Sequence, residues 1–128
     1  MTRLFSRYRF VVPPSQPTAN SLGPAIENKA KSTIARCATH GFKPKYINVT
    51  WSLQGEIGEL DDHPTITEID SNAFSMVSFY SRTFDRTHNG RILTCNVNHM
   101  AMTQAFSTSV AVTILCRFLC IMDLFKTM

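Results

Sequence analysis

An all-β antiparallel sandwich is the fold class this sequence predicts, on three observations. Apolar and polar residues alternate with period two in several short stretches. Those stretches are rich in Val, Ile, Thr, Phe and Tyr, the residues that fit a pleated, half-buried surface. Clusters of Gly, Pro, Asn and Asp separate them at short intervals, and no segment of convincing length carries a helical period.

Taken along the chain, the first segment is MTRLFSRYRFVV. It has basic residues and no acid, and lacks the unbroken apolar run of roughly 7–15 residues that a secretory signal needs. It reads as a strand end or linker leading to Pro13-Pro14, with an Arg-rich organellar presequence as the alternative. Val11 to Pro24 is rich in Pro and small polar residues and reads as a linker, so residues 1–24 are set apart from a sandwich domain expected over 25–114. Thr33 to Cys37 is the first strand. Ile47, Val49 and Trp51 alternate with Asn48 and Thr50, which makes a half-buried strand with the only tryptophan on its apolar face. Ser75 to Phe84, Arg91 to Asn98 and Phe106 to Ile114 complete the set. Between them, Gly41 with Pro44, Gly55 with Gly58, Asp61-Asp62-His63-Pro64, Asp70-Ser71-Asn72 and His88-Asn89-Gly90 are read as turns. Residues 115–128 form a hydrophobic tail. The run Ser109 to Met122 is interrupted by Arg117 and followed by Asp123, so it falls short of the ~20 apolar residues that span a bilayer.

Composition narrows the function classes. A chain of 128 residues with 44% hydrophobic residues fits one domain with one core. The 13 Lys and Arg exceed the 9 Asp and Glu, for a net charge of +4, but they are scattered. A nucleic-acid face needs a contiguous basic stripe interleaved with aromatics, and none is present. Asp61, Asp62 and His63 resemble an acid–base cluster only in composition; before Pro64 they read as a solvated loop. His40, His88 and His99 do not combine with cysteines at zinc-finger spacing, and Cys116 and Cys120 are not a C-x-x-C pair. No nucleophile elbow, metalloprotease motif or phosphate-cradling glycine loop occurs. Neither catalysis, a metal nor a cofactor is expected.

The closely spaced Cys37 and Trp51 leave two readings, reactive chemistry at the thiol or half of a packing device. Cys95 lies 58 positions after Cys37 (95 minus 37) in a strand of its own, with Trp51 between them. This Cys…Trp…Cys spacing is the immunoglobulin-type signature, in which a bridge joins two strands across the sandwich and the tryptophan packs on it. It implies a Cys37–Cys95 disulfide, Trp51 in the core beside it, and an oxidising compartment.

Three motifs then carry a closer resemblance. Cys37-Ala38-Thr39-His40-Gly41-Phe42-Lys43-Pro44, the Ile47-x-Val49-x-Trp51 strand, and Cys95-Asn96-Val97-Asn98-His99 resemble the C-x-x-x-G-F-x-P, strand C and C-x-V-x-H motifs of constant-type (C1-set) immunoglobulin domains. Within that set the chain is most similar to the first constant-type domain of signal-regulatory proteins. Pro14 to Pro17, Gly23-Pro24-Ala25, His40-Gly41-Phe42 and the serine-rich Ser75 to Phe84 strand carry that likeness. The resemblance implies an immunoglobulin-like sandwich of about seven strands, located at the cell surface or secreted. It implies a non-catalytic spacer and contact module, meeting other cell-surface proteins laterally in immune or adhesion signalling. An antigen-presentation role like that of histocompatibility constant domains is the alternative, as is a non-functional truncated product. Leu93 stands where many such sandwiches carry the tyrosine of a tyrosine corner. Receptors of the signal-regulatory type bind ligand through a variable-type domain, for which this chain has no room, so no ligand-binding residue carries over and the ligand is unknown.

Two side features complete the reading. Asn48-Val49-Thr50 is a glycosylation sequon, and the alternation that points Trp51 inward points Asn48 outward. Cys116 and Cys120 are expected to stand outside the core bridge, as inert thiols or as sites of intermolecular bridging or lipidation. The tail, through Phe118, Leu119, Ile121, Met122 and Leu124, is expected to drive association or membrane adsorption.

Overall fold

The computed structural model describes residues 11–58, 60–70 and 73–116. They form two four-stranded antiparallel sheets packed face to face. The strands are β1 (Thr18–Ser21), β2 (Ala25–Ile26), β3 (Ser32–Phe42), β4 (Ile47–Leu53), β5 (Leu60–Asp62), β6 (Thr65–Asp70), β7 (Ala73–Arg82), β8 (Ile92–His99), β9 (Phe106–Ala111) and β10 (Ile114–Leu115). One sheet has the order β1-β3-β7-β6 and the other β5-β4-β8-β9, while β10 runs parallel to β2. Setting aside β2, β5 and β10, which have two or three residues each, seven strands remain, the number expected.

Register decides which side chains meet in the core. On one sheet Val49 lies opposite Val97, Trp51 opposite Cys95 and Leu53 opposite Leu93. On the other, Ala35 lies opposite Tyr80, Cys37 opposite Ser78 and Thr39 opposite Met76. All twelve are buried, because residues facing each other across an antiparallel pair share one side of the sheet. Leu93, in place of a corner tyrosine, is fully buried against this core.

Phe42 breaks the alternation of β3, and Gly41 explains how. Cys37 and Thr39 point inward, so a regular strand would turn Phe42 out. A register shift between His40 and Phe42, with Gly41 at φ +81°, resets the phase and buries the ring completely. The Gly-Phe pair of the motif is therefore a bulge that adds one aromatic to the core.

Several elements differ from the sequence reading. Thr18–Ser21, inside the stretch read as linker, is an edge strand paired with β3. Asp61 and Asp62, read as part of a turn, lie in β5 opposite Thr50 and Val49. The strand expected to run from Phe106 to Ile114 ends at Ala111, and Ile114 and Leu115 pair with β2. His88 belongs to a short 3-10 helix, Arg86–His88, capped by Asp85. Cys116 is disulfide-bonded, which sets aside the inert-thiol and lipidation readings for that residue. Cys120 and the apolar tail residues from Phe118 onward lie outside the described residues.

Candidate functional site

The chemistry-capable groups sit in three places: an inter-sheet clamp, the two ends of the sandwich, and the outer faces of the sheets. The clamp joins Cys37 of β3 to Cys95 of β8 by a disulfide, with a Cα–Cα distance of 6.5 Å. Trp51, directly opposite Cys95, donates its indole N–H to Ser78 Oγ at 2.8 Å, and Ser78 lies directly opposite Cys37. The two sheets are thus tied twice by neighbouring pairs, once by a covalent bond and once by a buried hydrogen bond. The Trp51 ring also packs against Tyr80, with centroids 5.5 Å apart. Cys37 is fully buried within this cluster, which suits a structural bridge and gives no access for a nucleophile.

At the β3–β4 end, His99 is buried beneath the Phe42 ring, in an edge contact at 5.6 Å. Its Nδ1 accepts the Ala101 N–H at 3.1 Å, so the ring proton is on Nε2 and is donated to the Pro44 carbonyl at 2.8 Å. The histidine of the C-x-V-x-H motif is a strut between two turns.

At the opposite end, Glu56 receives a hydrogen bond from the Arg82 guanidinium and faces His88 Nε2 at 3.4 Å. The Arg82 hydrogen bond, more than burial opposes it, holds the Glu56 carboxyl below its ordinary range. Hydrogen bonds from the Thr87 hydroxyl and N–H do the same for Asp85. His88 Nδ1 accepts the Asp85 N–H at 3.1 Å. This group closes a loop onto the sandwich. Beside it, Glu56 and Arg82 line a hollow of about 520 Å³.

Among the described residues no group of three His, Cys, Asp or Glu is placed to hold a metal ion. His40 and His63 are exposed and apart from the buried histidines. Asn48 is exposed at the start of β4. Beside it lies a shallow hollow of about 490 Å³ lined by Tyr46, Asn98 and Met100 among others. Sequence reasoning missed Ser78, because a serine in an alternating strand gives no sign of which face it occupies. It also missed Phe79, half-exposed at the centre of a sheet face.

Two antiparallel sheets bridged through a buried disulfide, with the tryptophan beside it, define an immunoglobulin-type sandwich. Residues 21–102, well over half of the chain, match the family model described as "Immunoglobulin C1-set domain", and the chain belongs to that family. A comparison with curated proteins finds no match. Among solved structures, the chain is similar to the full ectodomain (Ig1-Ig3) of mouse nectin-like molecule 4, at TM-score 0.65 and 16% identity, covering 83% of this chain and 35% of that one. It is similar to Rst D1-D2 at TM-score 0.70 and 22% identity, covering 82% and 51%. A marsupial T cell receptor gives TM-score 0.59 and 22% identity, covering 80% and 46%. At these identities the likeness is one of fold, and this chain spans between about a third and a half of each structure. Among the described residues no helix is long and apolar enough to cross a membrane, which says nothing of a β-barrel.

Proposed function

We propose that this chain is a non-catalytic constant-type domain of a cell-surface recognition receptor, a spacer and protein-contact module in immune or adhesion signalling. The Gly23-Pro24-Ala25 and His40-Gly41-Phe42 stretches, which resemble the first constant-type domain of signal-regulatory proteins, support a receptor of that kind. One observation carries the reading: the outer face of the β1-β3-β7-β6 sheet is built as an interface centre. Phe79 stands 50% exposed opposite Arg36, and Val77 lies opposite Ala38. An exposed aromatic beside an arginine, surrounded by short side chains, is the composition found at the middle of protein interfaces. A hollow of about 600 Å³ beside Asn20, Arg36 and Val77 gives a partner side chain a place to enter.

A photo-crosslinking residue in place of Phe79, in the full chain displayed on cells, should form adducts with other surface proteins. The same group in place of Thr94, on the other sheet, should form few. Equal labelling from both positions would refute the assignment of the face. Recognition in signal-regulatory-type receptors rests on variable-type loops, so this chain should show no saturable binding to the integrin-associated protein those receptors recognise. The antigen-presentation reading rests on the Cys95-x-Val97-x-His99 motif and is favoured instead if the chain co-purifies stably with a histocompatibility light or heavy chain. The apolar residues from Phe118 to Leu124 give the full chain a means of membrane adsorption. Vesicle flotation of the full chain against one ending at Leu115 tests that property, and equal flotation would remove it.

A further inference from the structure

The outer face of the second sheet has a composition unlike the first. Along β4 and β8, Asn48 lies opposite Asn98, Thr50 opposite Asn96, and Ser52 opposite Thr94. On β9, Ser107 and Ser109 continue the same rows, with Ser107 donating to Asn96 Oδ1 at 2.6 Å and Ser109 paired with Thr94 at 2.9 Å. On these three strands the positions named carry short, neutral, polar side chains, Thr50 itself being buried, while on β5 Asp61 lies opposite Thr50. At the far end Ile92 and Ala111, opposite each other, interrupt the pattern. A protein-docking face carries aromatic or arginine anchors, and a solvated face is normally studded with Lys and Glu. The β4, β8 and β9 rows have neither.

Its composition suits carbohydrate, whose hydroxyls pair with amides and hydroxyls and whose rings need a flat bed. The only N-x-S/T sequon in the chain, Asn48-Val49-Thr50, opens at one corner of that bed. Tyr46, two residues earlier, is 72% exposed. Lys45 Nζ approaches its ring at 5.7 Å, and the ring forms a wall of the hollow beside Asn48. The C–H edges of a sugar carry partial positive charge and pack on the negative face of an aromatic ring. Asn98 presents the complementary polar group: its Oδ1 accepts the His99 N–H at 2.9 Å, which turns its NH₂ toward an incoming sugar.

We propose that an N-linked glycan on Asn48 folds back onto the β4–β8–β9 face. Its first sugar sits in the hollow between Tyr46, Asn98 and Met100, and the following sugars lie over Asn96 and Ser107. Attachment joins the Asn48 amide nitrogen to the anomeric carbon of a lipid-linked oligosaccharide, the amide losing a proton and the lipid pyrophosphate departing. The inference rests on the proposed passage of the chain through the secretory pathway. It assigns the two sheets opposite roles, one shielded by sugar and one left for protein contact.

The test uses the full chain secreted behind a heterologous signal sequence from cells that attach a uniform glycan. In proton NMR, sugar protons stacked over Tyr46 should be shifted upfield relative to the released glycan, and Tyr46→Ala should return them to the released positions. Trimming the glycan to one sugar should speed hydrogen exchange in β8 and β9 amides several-fold. Tyr46 is largely exposed, so its loss should leave the melting temperature of the trimmed protein unchanged, which separates stacking from folding. Sugar protons at the released positions in the wild type would overturn the proposal. A secreted chain with Asn48 unmodified would overturn it equally, while the crosslinking result at Phe79 would still stand or fall by itself.

Discussion

Replacing Ser78 with alanine removes one oxygen from the centre of the sandwich and leaves the Trp51 indole N–H without its acceptor. Both residues are 1% exposed, and the bond is 2.8 Å long, so water cannot substitute. An unsatisfied buried donor costs about 1–3 kcal/mol, and a domain of this size loses about 4–8 °C of melting temperature per kcal/mol. A fall on the order of 10 °C is therefore expected by differential scanning calorimetry. Thr94→Ala is the matched control, since it removes a hydroxyl hydrogen bond of 2.9 Å on the exposed face and should change stability by no more than about 0.5 kcal/mol. Trp51→Phe removes the donor. In that background Ser78→Ala should cost less by about 1–2 kcal/mol, the coupling energy of the pair. If Ser78→Ala is no more costly than the control, or if its cost is the same with Phe at 51, the second tie between the sheets does not exist.

Three further outcomes follow from the same geometry. Replacing Cys37 and Cys95 together by alanine should cost about 4 kcal/mol in the chain-entropy picture, a large share of the 5–15 kcal/mol typical of a domain, and peptide mapping without reductant should find these two joined. His99→Ala should lower stability by about 2–3 kcal/mol through the loss of the Pro44 and Ala101 hydrogen bonds; an unfolding midpoint within error of the wild type would show that the strut carries no weight. Glu56 and Asp85 are both held below their ordinary values of 4.5 and 3.8, so the stability they contribute is complete above those values and disappears as pH falls through their lower folded-state values. Melting temperature should therefore drop on acidification below about pH 4.5, with a shallower slope in Glu56→Gln, and an identical slope in that variant would remove Glu56 from the explanation.

How much of this was legible in the sequence depended on where each strand lies. β3, β4, β7 and β8 sit in sheet interiors, with one face on the core, and their alternation of apolar and polar residues is plain. β6, with the sequence Thr-Ile-Thr-Glu-Ile-Asp, is exposed at all six positions. An edge strand with no buried face writes no period into its residues, and β1, made of Thr, Ala, Asn and Ser, has the composition of a turn. β5, three residues long, hid behind Asp61-Asp62-His63-Pro64, which has the composition of a turn. Bulges also defeat pattern reading, since Phe42 is buried out of phase through Gly41. Of the site residues, Cys37, Trp51 and Cys95 were visible because their spacing is constrained by two facing sheets. Ser78, Phe79 and Tyr46 were not, because whether a serine is buried or an aromatic exposed depends on register with strands far along the chain.

Contact through the outer face of the β1-β3-β7-β6 sheet is the functional heart of the proposal, and a single substitution can block it. Phe79→Asn, followed by Tyr80 and Ser81, writes a new N-x-S sequon at the centre of that face. Proximity labelling on living cells should compare the displayed wild-type chain with this variant, after showing that the variant carries the added glycan and keeps its melting temperature. Contact through this face predicts that the surface proteins labelled beside the wild type are lost from the variant; an unchanged set of labelled neighbours would contradict it.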